Sequence, residues 1–420
     1  MGDPVSTRQF SDLRRYTVAQ VASTFGSALT STTVSVTAVA VVGAGSREVS
    51  LVVAASAVPP LVLGPFAGVL LDRVSRPRHL LILADLIAAS AIAVCAVSAF
   101  AGVLTVTTLI GLSLILGVTG VARAGLYFSH LSTLGVRDVS TTRARLQSNS
   151  LLARAAGASV AGPLLIAAGA AVMFTCDVLT YLFSAFCLAG LSEPDRRETA
   201  QRGGIAREFA DGVRVLRDSK VLAALALYLL IGGAASGGVA AMRAVFLLDD
   251  IRIPVSAYGI PAVAATLSAA LGALAAPRIL AAGISADRVL RASVLAAAAC
   301  ALALPLTTGS LPLALLIVCA STALPTFFGA LMNIALITVI GTDVGDCYFA
   351  RVGALLGTGT TAANLMGALL GGVLGEHFGV RTGIWVFVLA DLSAAVAFAS
   401  VLARRRGAAS ASSRRQTAKT

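Results

Sequence analysis

The chain has 420 residues, of which 57% are apolar and only 12% charged, with a formal net charge of +12. A soluble domain carries about 25% charge, so composition excludes a water-soluble enzyme and indicates an integral membrane protein. The positive charge does not form a nucleic-acid patch either. Arg47, Arg252 and Arg381 fall on one side and Arg123, Arg154 and Arg243 within apolar runs, while the rest of the 32 Lys and Arg crowd the loops of the other side. The positive-inside rule makes that side cytoplasmic and places both chain ends there.

Taken in chain order, apolar runs between charged breaks cover 16–42, 49–71, 79–101, 105–134, 146–170, 172–191, 220–248, 257–280, 289–307, 311–340, 352–374 and 382–402. A transmembrane helix needs about 20 apolar residues, so these runs predict twelve spans. Alternating ten-residue segments, the mark of a membrane β-barrel, are absent. Met1 to Arg15 is polar and leads into a run too long for a leader's apolar core, so no cleavable signal is expected. The long polar stretch 192–219 divides the chain into two six-span bundles, 1–191 and 220–403. Within that linker, Ile205, Phe209, Val213 and Leu216 have the spacing of a helix lying on the membrane surface. The basic, Ala/Ser-rich tail 404–420 has the composition of a disordered segment.

Six cysteines lack the C-x-x-C spacing of metal or redox sites and read as small packing residues. No phosphate-cradling glycine loop or catalytic constellation is apparent, so no metal, cofactor or ATP-driven engine is expected.

The most specific motif is the charged break Gly68-Val-Leu-Leu-Asp72-Arg73-Val-Ser-Arg76-Pro-Arg78 between the second and third runs. It resembles the loop between the second and third helices of the major facilitator superfamily of secondary transporters. Further stretches resemble the drug and siderophore exporters of that superfamily: Leu131 through Asn149 to Pro163, Glu208 to Arg217, and Gly375 to Arg381. The resemblance implies an all-α membrane protein with twelve helices in two pseudo-symmetric six-helix bundles. It also implies export of a hydrophobic or amphipathic small molecule by proton exchange from the cell membrane, with small molecule, protons and bilayer as partners, and a monomeric chain. A dedicated exporter of a siderophore or self-made metabolite is the narrower alternative; a transport-inactive sensor or scaffold is a different class.

The resemblance makes Gly68, Asp72, Arg73 and Arg76 a conformational latch, Asp72 meeting the amide end of a helix in the other half. Ser75 and Pro77 depart from the family's loop. The alternative is that these arginines only fix topology. Charges inside spans are costly, about 2.5–3.5 kcal/mol each on insertion scales, and so mark candidates for charge or proton coupling: Asp85, Arg123, Arg154, Asp177 and Asp391. Asp85 and Arg154 lie about 9–12 Å from the inner ends of their spans at 1.5 Å per residue. Arg123 has Thr119 and Tyr127 one turn either side and is expected to reach the cavity or a buried carboxylate, Asp85 by depth, or a substrate anion; snorkelling is its alternative role. Asp177 and Asp391 lie mid-span at matching places in the two halves, where helix–helix hydrogen bonding competes with proton coupling. Gln20, Thr24, Ser27 and Ser31 form a polar face on the first span, and Tyr228, Phe327 and Asn333 complete the cavity candidates. Gly157, Gly162 and Pro163 resemble the antiporter-type kink of the fifth span, with close packing as the alternative.

Overall fold

The computed structural model describes residues 7–72, 77–133, 139–190, 214, 219–343 and 346–417. Every long described element is a helix: α1 (Thr7–Ala40), α2 (Ser46–Asp72), α3 (Pro77–Phe100), α4 (Val106–Thr133), α5 (Val139–Ala189), α6 (Lys220–Val245), α7 (Ile260–Ala281), α8 (Ala286–Ala301), α9 (Leu311–Asp343), α10 (Asp346–Phe378) and α11 (Val380–Thr417). Helix is what a bilayer demands, because each backbone amide and carbonyl must be satisfied within its own segment. α5 contains two spans. Gly169 breaks it with φ 78 and ψ 168, a conformation that glycine adopts without steric cost. The chain thus reverses at Gly169, beside the break between the fifth and sixth runs of the sequence, and among the described residues eleven helices supply twelve helical segments. Among the described residues, eight stretches are long and apolar enough to cross a membrane. α1 is not among them, because Ser and Thr crowd it.

Two compact units emerge, residues 1–202 with 241–263, and residues 203–240 with 264–420. In the first unit, α1 and α3 pack on α5, and α2 and α3 pack on α4. One core of this unit joins Tyr16, Ala19, Leu81, Leu126, Leu146 and Leu188, and a second joins Leu29, Val36, Ala161, Leu165 and Met173. Residues 241–263, which the sequence assigns to the second bundle, belong to this first unit. After α6 the chain makes a π-helical turn (Phe246–Asp250) and a 3₁₀ turn (Val255–Ala257). That strap lies on α5: a Cβ added to Gly162 would press on the carbonyls of Val255 and Ser256, and one added to Gly259 on the carbonyl of Ala158. Only side chains without bulk permit so close an approach.

The second unit is built around Leu222, Leu225, Tyr228, Val294, Ala298 and Phe398. Here α6 and α10 touch backbone to backbone, Gly237 against Asn364 and Gly367 against Ala234. α11 runs on to Thr417, where composition indicated a disordered tail. Ala and Arg are good helix formers, and extending an existing helix avoids the cost of nucleating one. The surface helix expected within 205–217 lies outside the described residues, apart from one helical position at 214.

Candidate functional site: a buried charge network in the first unit

Three helices bring Asp85, Arg123 and Asp177 of the first unit into one polar region. Arg123 of α4 sends one guanidinium nitrogen to Ser23 Oγ at 2.8 Å and the other to the Tyr181 hydroxyl at 3.1 Å. Its Cζ stands 4.9 Å from the centre of the Tyr181 ring, within cation–π range. An Arg123 nitrogen lies 3.7 Å from Asp85 Oδ1 on α3, with the carboxylate side chain fully buried. Ser184 donates to the other Asp85 oxygen at 2.6 Å. A planar guanidinium with five donors suits such a junction, since it serves a hydroxyl, a phenol and a carboxylate in fixed directions.

Asp177 occupies the next turn of the same helix as Tyr181. Thr180 donates to its Oδ1 at 2.9 Å and Thr30 of α1 to its Oδ2. Gly26 leaves the room for this carboxylate, because a Cβ there would strike Asp177 and Thr180. Ser27 and Tyr181 share a hydrogen bond of 2.9 Å, which links the network to the polar face of α1. Asp85, Asp177, Tyr181 and Ser184 are all fully buried.

Sequence reasoning paired Arg123 with Asp85 by depth and named Asp177 and Ser27 without joining them to that pair; its polar face on α1 left out Ser23 and Thr30, and it missed Thr180, Tyr181 and Ser184. Asp177, Tyr181 and Ser184 follow helical spacing, so a polar stripe was legible in that arm. Other candidates stand elsewhere. Thr119 is buried, but its hydroxyl bonds back to Ile115 and Leu116 of its own helix. Ser31 is exposed and bonds to the Ala28 carbonyl; Thr24 is half-buried. Gln20 has a buried Oε1 without a hydrogen-bond partner. Arg154 is exposed and is not brought to Asp85. Gly157 marks the closest approach of α5 to α1, at Phe25 and Leu29, and Gly162 carries the strap. Arg73 and Arg76 lie outside the described residues, as do the side chains of Gly68, Asp72 and Tyr127.

In the second unit, Tyr228 is a core residue, its ring stacked on Phe398 with centroids 5.5 Å apart and its hydroxyl toward Met332 Sδ at 3.7 Å. Phe327 packs edge-on to Phe328, and Asn333 is exposed. Asp391 faces Gly232, where a Cβ would lie 3.1 Å from its Oδ1. That pairing repeats Gly26 against Asp177 at the matching place of the other unit.

Two arginines close the end of α5. Arg15 donates to the Gly190 carbonyl, and Arg78 donates to the Ala189 carbonyl at 2.7 Å. They satisfy the last acceptors of α5, where a helix end favours cations. A cavity of about 760 Å³ opens toward the lipid side of α1 and both arms of α5, between Thr17, Phe25, Asn149, Ala156, Thr180 and Phe183. Its walls are almost wholly apolar and suit hydrocarbon rather than a charged ligand.

The solved structures this chain resembles share its fold at low identity. A point mutant of the nucleoside transporter NupG superposes with a TM-score of 0.78 at 14% identity, covering 92% of this chain and 99% of that one. A bacterial homologue of the iron transporter ferroportin, in an inward-facing state, gives 0.72 at 13% identity, covering 95% and 100%. A bacterial homologue of the human lysosomal transporter Spinster, inward-facing and unoccupied, gives 0.66 at 15% identity, covering 96% and 98%. No curated protein sequence matches the chain. A sequence profile described as transmembrane secretion effector matches residues 4–419. With that match across nearly the whole length, and with the helical architecture above, the chain belongs to the transmembrane secretion effector family of the major facilitator superfamily and is a multi-pass membrane transporter.

Proposed function

We propose that this transporter is a monomeric exporter of the cell membrane, with both termini cytoplasmic, which expels a hydrophobic or amphipathic small molecule in exchange for protons. The buried network of Arg123, Asp85 and Asp177 is the observation that carries this reading. Asp85 pairs with the Arg123 guanidinium, and Asp177 lies one helical turn from Tyr181, whose hydroxyl accepts from the same guanidinium; carboxylates placed so near one cation can accept and release a proton without leaving a large net charge in hydrocarbon. Ser27 and Tyr181 offer a hydrogen-bonded route between the network and the polar face of α1. Proton arrival at a carboxylate weakens its hold on Arg123, and the freed guanidinium can re-pair as the helices shift. Such a change of partners gives alternating access a two-state element to act on.

In proteoliposomes, transport should follow an imposed pH difference, collapse when the gradient is dissipated, and ignore ATP. Flux indifferent to the gradient would remove proton exchange from the reading.

The loop of Gly68, Asp72, Arg73 and Arg76 is read as the cytoplasmic latch of the cycle, on the strength of its motif. Asp72→Asn should insert normally and lower the transport rate about tenfold, since a neutral amide binds a helix amide end far less well than a carboxylate. Wild-type flux from correctly inserted Asp72→Asn protein would reduce the loop to a topology signal.

A further inference from the structure

Arg154 has the wrong exposure for its place on α5. Ser150 one turn before it, Gly157 and Ala158 one turn after, Ala161 two turns after and Leu165 three turns after share its face, and all are buried. The lipid-facing row lies on the other side of the helix, where Leu152 and Ile166 are each 60% exposed and Val160 43%. Arg154 therefore projects from the protein-facing side and is nevertheless exposed. Among the described residues it has neither a hydrogen bond nor an ion pair. Arg123, by contrast, is fully engaged. A guanidinium within a membrane span, turned from lipid and without a protein partner, needs water or an anion.

One more unused polar group lies a single turn away on the same face. α1 and α5 run in the same direction, with Leu146 clustered with Tyr16 and Ala19, and Gly157 against Phe25 and Leu29. Ser150 thus falls between these two contacts, beside Gln20 to Ser23 in height. Ser150 is only 9% exposed, and its hydroxyl has no hydrogen-bond partner. Burying a polar group without a partner is unfavourable, and such a hydroxyl one helical turn from an unpaired cation describes a site that a ligand completes. Outward of Arg154, the face is closed by Gly259 of the strap over Ala158.

We infer that Arg154, with Ser150, forms an anion subsite on the first unit, and that the cargo is an organic anion: a carboxylate, sulfonate or phosphate on an apolar body. The subsite rests on the exporter reading above and names its substrate class. The guanidinium takes the anionic oxygens, as arginine does by its paired donors. The Ser150 hydroxyl supplies a further donor.

The test uses two fluorescent probes that differ in one group, 8-anilinonaphthalene-1-sulfonate and the uncharged N-phenyl-1-naphthylamine, titrated into the full-length protein in phosphatidylcholine nanodiscs. Arg154→Gln should weaken binding of the sulfonate at least tenfold and leave the uncharged probe unchanged. Arg154→Lys should keep part of the preference, and Ser150→Ala should cost the sulfonate two- to fivefold. Equal loss of both probes in Arg154→Gln, or no loss of either, overturns the subsite. Sulfonate binding that disappears from the wild-type protein in phosphatidylglycerol nanodiscs assigns the cation to a lipid headgroup and overturns the cargo reading. Equilibrium binding needs no gradient, so failure of proton exchange would leave this result standing.

Discussion

Arg123→Ala should abolish gradient-driven transport and lower the stability of the folded protein by about 3–5 kcal/mol, the usual cost of removing one partner from a buried ion pair. The cause is direct. Asp85 would lose its only described cation, and Ser23 and Tyr181 would each lose a donor. Arg123→Lys should keep the charge but not the fork, and so retain the fold with a small fraction of the transport. Thermal unfolding in detergent and pH-driven flux in proteoliposomes separate the two effects. If Arg123→Ala is as stable as the wild type and transports normally, the network has neither structural nor coupling value.

Asp177→Asn should have an equally large effect on flux and a small one on folding. The amide keeps an oxygen that can accept from Thr180 or Thr30, occupies the space left by Gly26, and cannot carry a proton. Transport against a gradient should fall by two orders of magnitude or more, whereas exchange of labelled for unlabelled cargo, which needs no net proton movement, should survive. Loss of exchange together with net transport would make Asp177 a packing element. Unchanged net transport would place the proton elsewhere, with Asp391 next to be tested.

Depth along the helices was legible in the sequence, and rotation about them much less so. Counting residues from the charged breaks places Asp85 and Arg123 in the inner half of their spans, and the structure brings them within 3.7 Å. Thr119 shows the limit. It stands one turn from Arg123, but in an apolar medium a hydroxyl can spend itself on the carbonyl of its own preceding turn, as Thr119 does. In α1, alternative polar faces were available: Gln20, Thr24, Ser27 and Ser31 form one, and Ser23, Ser27 and Thr30 another. Hydroxyl content alone does not rank them; the position of Gly26, which lets α1 close on Asp177, does. Tyr181 was passed over because an aromatic in a membrane helix reads as packing, and only its hydroxyl's two partners reveal it as a hub.

The strap of residues 241–263 also bears on how the chain matures. Synthesis completes α5 at Ala189, but the backbone that covers Ala158 and Gly162 emerges only after the linker and all of α6. Contacts so distant in sequence raise contact order and demand a costly loop closure, while a nascent chain folds its earlier segments first. The first unit therefore leaves the ribosome with the outer turns of α5 bare, and its assembly ends only when a segment that follows the first helix of the second unit comes back to meet it.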